Sequence, residues 1–319
     1  MTIAQIEADC YRRLGYASSP AADVTTRIRA YINDTHRELI TLPGMDRLRD
    51  GATTFASVAS TPTYALPQAI AKVKFIREIT NDVPLDEWDL PRYRYMDPDP
   101  SDHSGTPEAW VNLGFTAVAT QPSNASEIFV DSTDAGDTGT CYIEVVRTGG
   151  YRRTLSVTMT GTTAVSLGAA ITDVVEITKF YISAAAVGTV TLHEDASGGT
   201  ELARIPIGAT SAKYLLIALE PTPSAAITYY VDYQRVISDL ANANDEPTLP
   251  SDFHDLLALG ARMKEYEKRD DSRYASTQKQ YEKRENEFKF YMWGSSTWVP
   301  RVGRQPTRTS RLGAQYPMV

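Results

Sequence analysis

The sequence predicts an α+β chain: a helical core with a small β-sheet, interrupted by an inserted antiparallel β-sandwich, Ig-like or similar. Three observations predict it. Apolar residues recur at helical spacing near both ends of the chain. Between about residues 120 and 218 the composition turns to Thr, Ser, Gly, Ala and Val in short alternating runs. The 319 residues, 42% hydrophobic and 23% charged, are also enough for about two domains with sizeable cores.

Thr2-Ile-Ala-Gln5 has the form of a capping box, and Ile3, Ile6, Cys10 and Leu14 then recur on one helical face up to Gly15. A second helix is predicted from about Ala21 to Leu42. Val24, Ile28, Ile32 and Leu39 face inward on it, and Pro43-Gly44 stops it. Thr53–Ser57 and Pro62–Leu66 flank a small-residue turn and read as a hairpin, and Val73–Ile79 reads as a further strand. Asp97-Pro-Asp-Pro-Ser-Asp102 breaks regular structure, because each proline restricts the residue before it.

The middle block supplies eight candidate strands: Glu127–Asp131, Tyr142–Arg147, Thr154–Met159, Ala164–Leu167, Val174–Ile182, Thr189–His193, Leu202–Ile207 and Tyr214–Ala218. Glycines separate them, which is the rhythm of a sandwich. Ile227–Arg235 is one more strand. Ser251 reads as the N-cap of a helix whose face holds Phe253, Leu256, Leu257, Gly260 and Met263. A second, highly charged helix runs from about Ser272 to Met292 with a thin stripe of Tyr274, Tyr281, Glu285 and Phe288. From Ser295 onward three prolines, two glycines and four arginines predict an extended arm that orders on a partner. The expected divisions are therefore 1–119 and 219–293 for the two parts of the core, 120–218 for the insert and 294–319 for the arm.

Charge is unevenly distributed. From Phe288 onward there is no acid, and Lys289, Arg301, Arg304, Arg308 and Arg311 give +5; the overall −8 then leaves −13 for residues 1–287. An acidic body argues against a nucleic-acid coat protein. Cys10 and Cys141 form no metal-binding spacing and suit a reducing compartment. No secretory signal and no membrane span is visible, so a soluble protein made in the cytosol is expected.

Chemistry-bearing patterns are sparse. His36, His103, His193 and His254 are scattered and read as surface or boundary residues, and no nucleophile elbow, phosphate loop or zinc motif is present. Asp131, Asp134 and Asp137 share one turn, a place hard cations favour. A solvated Asp-rich turn is the preferred reading, because the spacing matches no known cation loop. The same holds for Asp97, Asp99 and Asp102. Phe129, Tyr142, Tyr151, Phe180, Tyr181 and Tyr214 are possible sugar platforms but alternate as core or pairing residues, and the block has no Trp. No catalytic residue, metal or cofactor is assigned, and a non-enzymatic role is expected. The arginine tail suits either phosphates or an acidic protein surface.

The order of these signals resembles the head-to-tail adaptor, or head completion, proteins of tailed bacteriophages. The residues that carry it are the helix ending Leu42-Pro43, the Tyr64-Ala-Leu-Pro67 strand end, and Pro84-Leu-Asp-Glu-Trp-Asp-Leu90 leading to Tyr93. Gly105-Thr-Pro-Glu-Ala-Trp110, Leu219-Glu-Pro-Thr-Pro223, Tyr229-Tyr-Val-Asp-Tyr233 and Leu249-Pro-Ser-Asp-Phe253 follow in turn. The resemblance covers roughly residues 20–112 and 219–293, and leaves the intervening hundred or so residues as a departure from the family pattern. It implies a structural virion protein that forms a ring, usually of twelve copies, under the portal. Such a ring joins the DNA-filled head to the tail and extends the DNA channel, through which the genome passes without specific binding. Implied partners are the portal protein and a downstream tail or neck protein; no membrane is involved. The implied location is the virion neck, after assembly in the bacterial cytoplasm. The arm residues Arg301, Arg304, Arg308, Arg311 and Tyr316 are expected to dock on the portal, and Val24, Ile28, Ile32, Leu39, Phe253, Leu256, Leu257 and Met263 to form the ring-making core. The alternative is another tail or neck component whose β-sandwich binds a host surface or carbohydrate.

Overall fold

The structure is a computed structural model that describes residues 1–96, 99, 103–123, 126–168, 171–195 and 199–294. It divides into two units: Met1–Leu48 with the chain from Asn242 onward, and Arg49–Ala241.

Two helices open the chain, α1 (Ile3–Leu14) and α2 (Ala22–Thr41). Thr2 starts α1, its N–H donating to Gln5 Oε1 (3.0 Å), and Gly15 closes it in the left-handed conformation (φ 75°). Seven short strands and one small helix follow: β1 (Asp50–Ala56), β2 (Thr63–Ala65), β3 (Ile70–Glu78), β4 (Val83–Pro84), β5 (Asp86–Trp88), α3 (Leu90–Met96), β6 (Ser104–Gly105) and β7 (Ala109–Thr116). Next come β8 (Ile128–Ser132), β9 (Thr140–Arg147), β10 (Arg152–Thr158), β11 (Val165–Ser166), β12 (Val174–Ile182), β13 (Val190–Glu194) and β14 (Glu201–Ile205). β15 (Tyr214–Glu220), β16 (Thr222–Pro223) and β17 (Thr228–Arg235) end the β unit, and α4 (His254–Lys268) and α5 (Tyr274–Gly294) follow.

The expected plan, a helical core interrupted by an inserted sandwich, does not form. Among the described residues strand outweighs helix, 34% against 28%, and the strands build four small sheets rather than one small sheet and one insert. Their strand orders are β1-β17-β3-β4, β2-β15-β7-β5, β10-β9-β12 and β11-β8-β13-β14, with a two-stranded β16-β6 pair in addition. The reason lies in long-range pairing. Strands from before residue 120 are completed by strands from after residue 213: β1 and β3 both pair with β17, and β2 and β7 both pair with β15. β15, expected as the last strand of the insert, thus belongs to a sheet whose other strands all precede that insert. The hairpin expected from Thr53–Ser57 and Pro62–Leu66 is also absent, because β1 and β2 enter different sheets.

Among the described residues two large cores hold the β unit, with a smaller cluster of Tyr93, Val111 and Ala218 beside them. The sheets containing β1 and β2 share one of them, built from Ile70, Val73, Ile76, Trp110, Leu215, Ile217 and Leu219. Tyr229 is buried in the same core and stacks on the half-buried Phe55 (5.3 Å). The other two large sheets share a second core that includes Ile128, Val130, Ile143, Phe180, Leu192 and Leu202. Burying each such side chain contributes about 1.5–3 kcal/mol. Cys141 lies in this second core and Cys10 in the helical unit. Both are free thiols, and burial pushes the pKa of each up to about 12.

In the helical unit, Ile3, Ile6, Cys10 and Leu14 of α1 are buried, as are Ile28, Ile32 and Leu39 of α2 and Leu256, Leu257 and Ala261 of α4. α4 starts at His254 after a single 3₁₀ turn over Ser251–Phe253, so Ser251 is not its N-cap as expected. At Gly260, α4 passes very close to α2. A Cβ placed there would collide with Thr35 Cγ2 and lie 2.7 Å from its Oγ1. Thr35 is fully buried and its hydroxyl donates to Tyr31 O (2.8 Å), so it has little room to move.

Gly260→Ala sets a helix-propensity gain of up to about 1 kcal/mol against an overpacking cost of about 1–3 kcal/mol. Chemical denaturation is expected to show a net loss. Thr35→Ala in the same chain removes the two closest atoms, and the double variant is expected to be more stable than the sum of the single effects.

Candidate assembly surface

The helical unit is tied together through one carboxylate. The Glu265 side chain on α4 is 1% exposed, and it accepts hydrogen bonds from two other segments and from its own helix. Tyr16 Oη donates to Oε1 (2.6 Å), Arg27 Nε of α2 to Oε2 (3.0 Å), and Arg269 Nε to Oε1 (2.9 Å). The Arg269 guanidinium also lies 4.5 Å above the Tyr16 ring. Burial raises the Glu265 pKa, but the hydrogen bonds from Arg27, Tyr16 and Arg269 outweigh it and bring it down to about 2. A second pair, Arg29 Nε to Glu7 Oε1 (2.6 Å), joins α2 to α1.

Of the residues expected to form the ring-making core, Ile28, Ile32, Leu39, Phe253, Leu256 and Leu257 are buried, and Val24 and Met263 are half-buried. The arm residues Arg301, Arg304, Arg308, Arg311 and Tyr316 lie outside the described residues, as do Asp97 and Asp102. On α5, which leads into the arm, Thr277, Tyr281 and Phe288 are buried, with Phe288 edge-on to Phe253 (5.3 Å). Phe290 is 74% exposed, and Tyr291 and Trp293 are about half exposed. The thin apolar stripe expected on this helix does not include that exposed aromatic end. The signal for it is the run Phe288-Lys-Phe-Tyr-Met-Trp293, which is too aromatic for one buried face.

The acidic turn is satisfied from within. Asp137 accepts from Ser132 Oγ (2.6 Å), Val187 N (2.8 Å) and Gly188 N (2.9 Å), Asp134 accepts from Gly136 N (2.7 Å), and Asp131 faces His193 Nε2 (3.3 Å). Among the described residues no group of three or more His, Cys, Asp or Glu is placed to hold a metal ion. The histidines depart from expectation: His36, His193 and His254 are buried, while His103 is exposed beside Glu220. Two of the buried rings meet backbone groups from other segments. His36 Nε2 accepts from Thr248 N (3.2 Å), and His254 Nε2 lies 2.9 Å from Leu249 O. Of the aromatic candidates, Phe180 and Tyr214 are core, Tyr142 stacks on Tyr181 (5.1 Å), Phe129 stacks on His193 (6.1 Å), and Tyr151 is exposed. No helix among the described residues is long and apolar enough to cross a membrane.

A family model described as SU10 adaptor protein matches residues 137–301, just over half of the chain. The class is that of a phage structural adaptor. The chain belongs to the SU10 adaptor protein family. No curated protein matches it. The matched span includes residues 137–218, so the stretch expected to be foreign to the family pattern lies largely inside it.

Glu265 must be ionised to hold Arg27, Arg269 and Tyr16. Its contribution is therefore complete above its ordinary value of 4.5 and is lost as pH falls toward about 2. Acid titration of stability is expected to show a loss on the order of 3 kcal/mol across that window, and Glu265→Gln to flatten it. For the acidic turn, Asp137→Ala is expected to cost about 2–3 kcal/mol by thermal melts, while calcium or a chelator leaves the wild-type melting temperature unchanged.

Proposed function

We propose that this phage adaptor forms a ring below the portal, joins the DNA-filled head to the tail and extends the DNA channel. The family match carries the adaptor role. The exposed aromatic end of α5, running directly into a cationic segment, supports a docking arm. Aromatic and arginine side chains are the residues that most often anchor protein interfaces. In this reading Phe290 and Trp293 sit at the root of the arm, and Arg301, Arg304, Arg308 and Arg311 pair with portal carboxylates. The helical unit makes the ring, with a copy number of twelve taken from the resemblance.

An acidic body suits a channel wall, because tight phosphate binding would slow a passing genome. Partners are then the portal, further copies of the chain, a downstream tail or neck protein, and DNA in transit. The role requires no catalysis, and the site of action is the virion neck after assembly in the bacterial cytoplasm.

The mass of the purified full-length protein, with and without portal rings, tests the proposal: a multimer on the portal is expected, and a persistent monomer would sink it. Deleting residues 295–319 is expected to abolish attachment to DNA-filled heads while circular dichroism and melting stay as in the full chain. Normal attachment by the truncated protein would remove the docking arm from the proposal.

A further inference from the structure

The helical unit carries two surface features that its own packing leaves unmatched. The first is a groove of about 280 Å³ lined by residues of α1, α4 and α5. Its acids are already engaged: Asp9 holds Arg12 and Arg13, while Asp255 and Glu287 both hold Arg284. Arg262 and Lys283 also line it and have no acidic partner among the described residues. The Arg262 Nε is buried with no acceptor, an unfavourable state for a charged donor.

The second feature is the turn between α4 and α5. Asp270 takes a left-handed conformation there (φ 52°), and it and Glu267 are exposed without a cationic partner among the described residues. Asp271 beside them is held by Arg273 (2.6 Å). Tyr266 and Tyr274 wall a hollow of about 360 Å³ at the same place.

We infer that these are the two halves of one contact between neighbouring copies, with Glu267 and Asp270 of one copy facing Arg262 and Lys283 of the next. The inference rests on the ring proposed above and names its contact. The two surfaces share no residue, so the contact is head-to-tail, the kind that generates rings when the rotation closes. A carboxylate suits the groove better than a nucleic-acid backbone does, because Arg262 and Lys283 are its only cations without an acidic partner among the described residues, too few to follow a run of phosphates. Such pairing sets orientation and partner choice more than raw affinity.

The test uses full-length protein by sedimentation velocity, alone and with portal rings. Lys283→Glu, and separately Glu267→Lys with Asp270→Lys, are each expected to raise the concentration needed for assembly by at least about tenfold. Combining Lys283→Glu with Asp270→Lys in one chain is expected to recover most of that loss, since that pair is reversed while Glu267 still faces Arg262. If wild type assembles and either one-sided reversal assembles equally well, or if the combined chain does no better than the one-sided ones, the contact is wrong and the ring proposal stands. If wild type never assembles, both fall. A change in duplex DNA binding with unchanged assembly would also overturn the contact. As a second measurement, Asp270→Cys with Lys283→Cys is expected to give an inter-copy disulfide ladder on assembled protein, and its absence counts against the contact.

Discussion

The helical unit depends on a buried carboxylate. Glu265 draws Tyr16, Arg27 and Arg269 into one cluster and so joins a segment near the start of the chain to one more than two hundred residues later. A buried charge is costly unless it is fully paired, and here each carboxylate oxygen has at least one donor. The consequence is specificity of closure. Apolar stripes on α1, α2 and α4 would tolerate sliding by a turn, but the carboxylate has to meet its three donors in one register. The near-contact of Gly260 with Thr35 restricts the same approach sterically.

The β unit obeys a different constraint. Its outer strands are completed across roughly a hundred residues or more of intervening chain, as β1 is by β17 and β7 by β15. Closing such distances costs more entropy than closing a hairpin, but the cost grows slowly with length. The intervening strands then form two sheets around their own core.

This difference explains what is legible in the sequence. Individual elements are readable because they rest on local period: Ile3–Leu14 repeats at helical spacing, and Val174–Ile182 matches its strand end to end. Partners are not readable, because alternation in Thr53–Ser57 and Pro62–Leu66 says which faces are apolar but not which strand completes each edge. The sandwich is an inference from local rhythm to global plan, and β15 shows where it fails. For the candidate surface, the basic arm is plain from composition. The exposed Phe290 and the unmatched Arg262 are not, since both depend on which helix face the fold covers. Burial of His36 is hidden for the same reason: its ring serves a backbone group more than two hundred residues away.

Both thiols have a consequence of their own. Cys10 and Cys141 are sealed in separate units and kept protonated by burial, so neither offers the thiolate that oxidants and disulfide exchange require. Burial therefore holds both thiols back from disulfide exchange while the chain stays folded. The folded chain can move from a reducing to an oxidising medium without acquiring cross-links through them.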